Sequence, residues 1–270
     1  MPASRPLTFL IFGDVFGRPG RAALAQVIPA LRKKYDPDLV IANAENIAHG
    51  VGVTEKTLAE CQAAGVDFFT SGNHVFKKKE VIDLLTKPEP VLLRPANYPP
   101  GTPGVGSRLL TVGTKHILVI NLNGRVFFTE NFDDPFRTLD AILKEYESKK
   151  PHAIIVDIHS EATSEAVSLG WYADGRASLV FGTHTHIPTA DARILPRGTA
   201  YITDVGMIGL KDSVLGEDKD EIIKSFLTQQ PFTHTIPENG LVSINGIVVK
   251  VDPKTSHALS IESIHQEVDV

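Results

Sequence analysis

The sequence opens with an apolar run, followed by a loop and then by apolar positions at helical spacing. Leu7 to Phe12 is almost continuously apolar, as expected for a parallel strand that is covered on both faces. Residues 13–20 carry glycines and predict a loop. The next apolar positions recur at the spacing of one helix face, at Leu24, Val27, Ile28, Leu31 and Tyr35. Pro29 lies within this pattern and predicts a kink or a helix in two pieces.

The same order of strand, loop and helix is predicted twice more along the first third of the chain. Residues 38–42 predict a second strand, and Thr54 is placed to cap a helix that ends at Gly65. A third strand is predicted at 66–70 and a third helix at 77–85. Three such units in succession predict an α/β sheet with crossover helices.

The rest of the chain changes character, first near residue 91 and again after residue 190. Residues 91–106 are rich in Pro, Gly and Asn without a period, and they predict a long surface connection. Strands or helices are then predicted at 108–112, 116–122, from Asp134, at 152–158, 161–172 and 178–181. Short strands follow at 192–195, 200–203, 241–251 and 259–263, with a helix at 220–227. They indicate a second, mostly antiparallel sheet, so we expect one domain over residues 1–270 with two packed sheets.

The composition agrees with a globular chain and weighs against several classes of protein. Hydrophobic residues make up 42% and charged residues 22%, which excludes a wholly disordered chain. The net charge of −5, from 27 Lys and Arg against 32 Asp and Glu, argues against a protein that coats nucleic acid. The single Cys61 cannot form an internal disulfide, and no apolar stretch reaches the length of a membrane span or a secretory leader. We therefore expect a cytoplasmic protein.

Polar side chains that can bind metal follow the predicted strands, one loop after another. These side chains belong to Asp14, Asn43, Glu45, Asn46, Asn73, His74, His159, His184 and His186. Because the carboxyl ends of the strands line one edge of an α/β sheet, we expect five loops to bring these groups to one place.

The types of side chain in this group suit a pair of divalent metal ions. Carboxylates prefer hard cations, and imidazole suits Fe, Mn, Zn or Ni. Taken singly, Asp14 could be a turn or helix cap, Asn73 could occupy a left-handed turn, and His159 could be a core histidine. His184 and His186 are more specific, because in an extended segment one residue separates the two imidazoles. The agreement of five loops, more than any single residue, predicts a metal site.

Several motifs of the chain resemble the calcineurin-like metallophosphoesterase superfamily. Gly13-Asp14, Gly72-Asn73-His74 and the segment from Gly182 to His186 occur in the order that this superfamily has. Three departures stand out: Phe16 replaces the histidine of the first motif, Ala44-Glu45-Asn46 replaces Gly-Asp, and Val75 replaces the acid after His74.

Those departures match the YmdB-like phosphodiesterases, which this chain resembles from end to end. Further motifs that carry the resemblance are Val15 to Arg21, Asn43-Ala44-Glu45-Asn46, Asp157 to Glu165 and Thr203 to Met207. The resemblance implies a four-layer α-β-β-α sandwich of two mixed sheets. It also implies two metal ions, iron or manganese, and hydrolysis of cyclic nucleotides, with 2′,3′-cyclic forms suggested.

The resemblance also assigns roles to the candidate residues. It implies Asp14, Glu45, Asn46 and His186 on one metal, and Asn73, His159 and His184 on the other, with Glu45 bridging both. His74 is then left as the general acid that protonates the departing ribose oxygen after attack by a metal-bridging hydroxide.

Other interpretations of the same residues stay open at this point. Arg18 and Arg21 could meet substrate phosphate or form a solvated pair at a helix start, and His49 could touch substrate or serve only its loop. Ser160, Thr163 and Ser164 fit the N-cap of the following helix better than a nucleophile, since no nucleophile elbow is present.

Two other functions also stay open: a metal-dependent nuclease on RNA ends, and a metal-binding regulatory protein with incidental hydrolysis. The expected partner is a small cyclic nucleotide. We expect no membrane and no extended nucleic acid, and a homo-oligomer is left open.

Overall fold

A computed structural model describes residues 5–231 and 233–270, in which two sheets lie between layers of helix. The elements of the first half are β1 Leu7–Asp14, α1 Gly17–Tyr35, β2 Leu39–Asn43, α2 Glu55–Ala64, β3 Phe68–Thr70, α3 Val81–Leu85, β4 Ser107–Val112 and β5 Lys115–Asn123. Those of the second half are α4 Pro135–Tyr146, β6 Ala153–His159, α5 Thr163–Ala173, β7 Leu179–Thr183, β8 Arg193–Ile194, β9 Ala200–Ile202, β10 Ile208–Leu210, α6 Lys219–Thr228, β11 Leu241–Val251 and β12 Ala258–Asp269.

The first sheet combines the three opening strands with the last strands of the chain. β1, β2 and β3 are parallel neighbours, with Phe9 opposite Leu39 and Ile41 opposite Phe68. β11 lies antiparallel on the other side of β1, and both β10 and β12 pair antiparallel with β11. The sheet is therefore mixed, and its parallel part carries the loops in which Asp14, Glu45 and Asn73 were predicted as ligands.

The second sheet has the order β4, β5, β6, β7, β9, β8. Its middle strands are parallel, from β5 through β6 and β7 to β9, and the outer pairs β4–β5 and β8–β9 are antiparallel. This sheet is also mixed, as expected, and β6 and β7 end at His159 and Thr183.

The expectation that the strands after residue 190 form a separate antiparallel sheet is wrong. β8 and β9 join the second sheet, whereas β10, β11 and β12 complete the first. The reason lies in β11, which is apolar on both faces: Val242, Ile244 and Val248 pack toward the helices, and Ile247 and Val249 pack toward the other sheet. A strand that is buried on both faces lies inside a sheet, and here it lies beside β1. The length of a strand does not predict the strand with which it pairs.

The four-layer sandwich is confirmed by three hydrophobic cores. One core joins the first sheet to α1, α2 and α3, through residues such as Leu24, Leu58 and Leu84. A second lies between the two sheets, and a third joins the second sheet to α4 and α5. Successive side chains of β1 point alternately into two of these cores. Leu10 and Phe12 belong to the core on the helix side, and Phe9 and Ile11 belong to the core between the sheets.

Most local predictions hold, with three differences at element ends. Thr54 caps α2 with its side chain, and Gly65 ends that helix in a left-handed conformation, both as predicted. α1 begins at Gly17, so the opening loop is shorter than 13–20, and the helix runs through Pro29 as one element. Pro29 has no backbone N–H and so removes one hydrogen bond from the helix. The burial of Leu24, Ile28 and Leu31 on one face of α1 stabilises the helix in spite of this loss.

The other two differences concern α3 and α5. The predicted helix at 77–85 is a short 3₁₀ turn, Val75–Lys77, followed by α3. The N-cap of α5 is Ala162, which has no side-chain acceptor, so Ser160, Thr163 and Ser164 do not cap it. No helix of the described residues is long and apolar enough to cross a membrane.

Candidate metal centre

The seven predicted metal ligands lie at the carboxyl ends of strands in both sheets. The first sheet carries Asp14, Glu45, Asn46 and Asn73, and the second carries His159, His184 and His186. We call Asn73, His159 and His184 the His159 group, and Asp14, Asn46 and His186 the His186 group. Glu45 contacts members of both groups, as described below.

Asp14 reaches this edge because β1 contains a bulge. Strict alternation would turn Asp14 toward the helices with Phe12, but the pairing with β2 shifts by one residue between Phe12 and Asp14. Asp14 therefore lies opposite Asn43 and faces the second sheet. The extra residue is Gly13, and a Cβ there would come within 1.9 Å of the carbonyl oxygen of Gly206, so a larger residue would not fit.

Two members of the His159 group, His159 and His184, meet Glu45 in a largely buried cluster. Nε2 of His159 lies 3.1 Å from Oε1 of Glu45 and 3.0 Å from Nδ1 of His184. Glu45, His159 and His184 offer three ligand atoms that all lie within 4.8 Å of one another. His159 and Glu45 can lie this close to residue 72 only because it is glycine. A Cβ there would lie 2.2 Å from Nε2 of His159 and 2.3 Å from Oε2 of Glu45.

A row of buried polar side chains behind His159 fixes its orientation. Nδ1 of His159 lies 2.9 Å from Oγ1 of Thr183, and that hydroxyl donates to Oδ1 of Asp157 at 2.8 Å. The other oxygen of Asp157 accepts from the Thr70 hydroxyl and from the Asn43 amide. Burial raises the pKa of Asp157 to about 7. These residues leave Nε2 as the ring nitrogen of His159 that faces Glu45 and His184.

The His186 group is held by different kinds of contact. Nδ2 of Asn46 lies 3.2 Å from Nε2 of His186 and 3.5 Å from Oδ1 of Asp14. Nδ1 of His186 faces the backbone carbonyl of Leu215 at 3.0 Å, and the ring of Phe16 packs edge-on against the imidazole. The position of His186 therefore depends on a loop far along the chain.

Both histidines of the His184-Thr185-His186 segment have left-handed backbones, with φ of 106° and 66°. The expectation of an extended segment is wrong, because β7 ends at Thr183. Side chains other than glycine rarely adopt this conformation, and such residues concentrate at functional sites. The backbone N–H of His184 donates to Oδ2 of Asp14 at 3.0 Å, which ties this turn to the end of β1 in the other sheet.

Glu45 connects the two groups and also holds the loop that carries His74. Oε1 of Glu45 lies 3.3 Å from Nδ2 of Asn46, in addition to its contact with His159. Oε2 accepts from the backbone N–H of His74 at 3.0 Å. The imidazole of His74 lies at the rim of the cluster: it is 32% exposed, and its Nδ1 lies 3.3 Å from Oε1 of Glu45 and 2.8 Å from Oδ1 of Asn46.

The electrostatics of the cluster favour the metal-binding protonation states of Glu45 and His184 but not that of His159. Burial works against a charged Glu45, but positive charge on His159 and His74 outweighs it and lowers the carboxyl pKa well below its usual range. Burial and the neighbouring His159 lower the pKa of His184 to about 3, so this imidazole is neutral near pH 7. Burial opposes a charged His159, yet Glu45 raises its pKa. A metal would have to displace the proton that these two residues share.

The residues present fit a metal site. Oδ1 of Asn73 is buried without a hydrogen-bond partner among the described residues, which is costly unless a cation is the partner. Carboxylate, amide and imidazole donors form a set that divalent transition metals accept. Asn46 differs, since it presents Nδ2 to Asp14 and His186, and as a ligand it would have to present Oδ1.

A cavity of about 470 Å³ opens beside these groups. Glu45, Asn46, His74, His184 and His186 contribute to its wall, as does His49, for which the sequence left a substrate contact open. Arg18 and Arg21 do not line this cavity. Arg18 lies 3.3 Å from Glu238, and Arg21 pairs with Glu60 at 2.7 Å and donates to the carbonyl of Ile47, so contact of either with substrate phosphate finds no support.

Sequence reasoning missed two sets of residues around the site. Asp157 could have been found, since it lies two residues before His159 and so shares its strand face. Leu215, Glu217 and His234 line the cavity from a segment that shows no periodic pattern, and no local signal points to them.

Comparison with known proteins identifies the family. The family model of YmdB-like proteins matches residues 10–264. The chain belongs to the YmdB-like family. A 2′,3′-cyclic-nucleotide 2′-phosphodiesterase of Bacillus subtilis (strain 168) is 48% identical over 258 residues, which cover 96% of each chain.

Two solved structures of similar proteins agree with the fold of this YmdB-like chain. A hypothetical protein from Thermus thermophilus is 40% identical, with a TM-score of 0.89 over 97% of this chain and 99% of the other. A novel phosphatase from Mycoplasma pneumoniae is 34% identical, with a TM-score of 0.90 over 98% of this chain and 94% of the other.

Proposed function

We propose that this YmdB-like protein is a metal-dependent phosphodiesterase that hydrolyses cyclic nucleotides, in particular 2′,3′-cyclic nucleoside monophosphates. The observation that carries the proposal is the largely buried cluster of Glu45, His159 and His184 beside a cavity of about 470 Å³. The substrate class follows from the relative in Bacillus subtilis, which is named for that activity. Acyclic RNA ends and a purely regulatory role have no comparable support.

We further infer two transition-metal ions per chain, iron or manganese. One would be held by the His159 group, the other by the His186 group, and Glu45 would serve both. When bound, such a pair supplies Lewis acidity toward the phosphate and toward the attacking water. The unpartnered oxygen of Asn73 and the contacts of Glu45 with both His159 and Asn46 support this assignment.

His74 is suited to the proton transfer that completes the reaction. The contact of Nδ1 with Asn46 fixes the ring, and the imidazole lines the cavity, so Nε2 is the nitrogen free to meet a substrate. Opening a 2′,3′-cyclic phosphate releases a ribose oxygen, which is a poor leaving group as an alkoxide. A proton donated by His74 makes that departure easier. Residues 1–270 act as one domain in this proposal, and we place the protein in the cytoplasm.

Assays of wild-type protein against the four 2′,3′-cyclic nucleotides test the proposal. Turnover is expected with added Mn²⁺ or Fe²⁺ and should be lost with a chelator, while elemental analysis should find close to two metal ions per chain. His184→Ala should lose metal and activity together. His116→Ala is the matched control, because His116 is an exposed histidine of the β4–β5 hairpin. Turnover that survives complete metal removal, or activity on RNA ends alone, would refute the proposal.

A further inference from the structure

The wall of the cavity beside the metal ligands includes apolar side chains that the proposed chemistry does not use. These belong to Phe16, Val51 and Leu215, and the rest of the wall is polar, with Glu45, Asn46, Lys77, Glu217 and five histidines. A nucleotide combines matching kinds of surface, since it has a charged phosphate at one end and a flat, largely apolar base at the other. The volume of about 470 Å³ lies within the range of small-ligand sites.

Leu215 occupies a backbone conformation that leucine rarely adopts. Val214 and Glu217 form an isolated antiparallel bridge with two backbone hydrogen bonds, so Leu215 and Gly216 are the two central residues of a tight hairpin turn. Both have positive φ, 55° and 99°, which is the pattern of a type I′ turn. Such turns favour Asn, Asp or Gly at the first central position, and here a leucine that is 43% exposed takes it.

This turn is fixed against Phe16. A Cβ on Gly216 would lie 2.3 Å from the Phe16 ring, so the turn rests directly on that ring. A Cβ on Gly50 would lie 2.9 Å from the far end of the same ring. The turn at Gly50-Val51 and the turn at Leu215-Gly216 thus both pack against the Phe16 ring. Phe16 stands where the first motif of the wider superfamily has a histidine, and here the position contributes an apolar part of the cavity wall.

Two unfavourable features therefore coincide at Leu215, namely left-handed backbone and an exposed apolar side chain beside a cavity. Strain of this kind is kept where it serves a function. We propose that Val51 and Leu215, supported by Phe16, form the subsite that holds the nucleobase of the substrate. The inference rests on the proposed hydrolysis of cyclic nucleotides. Because the contacts are apolar, the subsite accepts all four bases, and it favours purines through their larger face.

The test uses Leu215→Asn and Leu215→Ala in the full-length, metal-loaded protein. Both variants keep the backbone carbonyl that faces His186, and asparagine tolerates the left-handed turn. Leu227→Ala is the matched control, because Leu227 is 80% exposed on α6 and does not line the cavity. The substrates are 2′,3′-cyclic AMP, 2′,3′-cyclic UMP and the 2′,3′-cyclic phosphate of methyl riboside, which has no base.

Leu215→Asn and Leu215→Ala should raise KM for cyclic AMP by about 5- to 20-fold, with kcat within about twofold, since roughly two buried carbons of contact are lost. The rise should be smaller for cyclic UMP and absent for the compound without a base, and bound metal should not change. Leu215→Asn should also raise the melting temperature, because strain is relieved. A purely structural role for Leu215 would lower that temperature or reduce turnover of all three substrates alike, and either result overturns the subsite.

Calorimetric binding of 3′-AMP and of ribose 3-phosphate separates this inference from the proposed function. If the wild type binds 3′-AMP more tightly than ribose 3-phosphate, and the Leu215 variants lose that preference, the subsite stands even without turnover. Equal affinities in the wild type would refute it, whatever the activity assays show.

Discussion

The His159 group and the His186 group both offer amide and imidazole ligands, to which the His186 group adds the Asp14 carboxylate, but their histidines are held in different ways. His159 is fully buried, ends a strand, and is oriented by Thr183 and Asp157, which are also strand residues of the second sheet. His186 lies beyond the end of its strand in left-handed backbone and is oriented by the Leu215 carbonyl and the Phe16 ring. His159 is therefore part of the sheet core, whereas His186 rests on turns that also shape the cavity.

This contrast suggests a division of labour between the two groups. Ligands locked by buried hydrogen bonds lose little freedom when a metal binds, so the His159 group should hold metal more tightly. Ligands on turns at the cavity are coupled to the surfaces that meet the substrate. Substitution of Glu45 should therefore affect both groups, substitution of Thr183 only one, and substitution of His74 or Thr54 neither.

Glu45→Gln should have the largest effect, because Glu45 contacts both groups. Loss of its charge should weaken both metal positions and lower activity by about 10³-fold or more, as several kcal/mol of transition-state stabilisation disappear. Asn73→Ala should weaken one position and leave the other. Titration of metal back into the two apo-variants, followed by elemental analysis, measures this difference. Small and equal losses would show that Glu45 does not join the groups.

His74→Ala should leave both groups loaded and still reduce turnover. We expect kcat on a 2′,3′-cyclic nucleotide to fall by about 10²–10⁴-fold, the usual contribution of a general acid. Bis(p-nitrophenyl) phosphate should be affected much less, since nitrophenolate leaves without a proton. The ratio of the two rate losses is the measurement. Equal losses on both substrates, or loss of metal, would contradict the role of His74.

Thr183→Val should loosen the His159 group alone. The variant keeps the size of the side chain but removes the hydroxyl between His159 and Asp157. Loss of such an outer contact typically costs about 10–100-fold in metal affinity. Thr199→Val is the control, because Thr199 is a buried threonine that donates to the carbonyl of Ala177, next to β9 and away from the site. If both metals weakened equally in Thr183→Val, the two groups would not be independent.

Thr54→Ala should have the smallest effect and should change neither group. Thr54 caps α2 through a reciprocal pair of hydrogen bonds with Thr57, so its loss should cost about 1 kcal/mol of unfolding free energy. Denaturant unfolding measures the cost, and metal content and KM should equal those of the wild type. A change in metal affinity would mean that global stability, and not local geometry, controls the site.

The sequence predicts one part of the molecule well because the signals there are local. Thr54, Gly65 and the apolar run of β1 act through neighbours within a few residues, and the structure has each of them as predicted. Position after a predicted strand singled out nine polar residues, and the family resemblance reduced them to the seven proposed ligands, whose loops the structure brings to one edge. Their roles on the metals stay a prediction.

The features that the sequence does not predict depend on contacts between distant parts of the chain. The pattern of β11 cannot show that it pairs with β1, more than 200 residues away, so the sheet of the last strands was wrongly predicted. The bulge at Gly13 is set by the approach of Gly206, and the wall formed by Leu215 is set by Phe16. None of these pairings leaves a periodic signal in the sequence.

The division of the ligands between the two sheets has a consequence for how the protein comes apart. Asp14, Glu45 and Asn73 belong to one sheet, and His159, His184 and His186 to the other. A bound metal would act as a cross-link between the two sheets at this edge of the sandwich, and unfolding would have to break it. At a free metal concentration of about 100 times Kd, one such ion adds about 2.7 kcal/mol to the unfolding free energy. The ions proposed to activate the phosphate would therefore also raise the melting temperature of the protein.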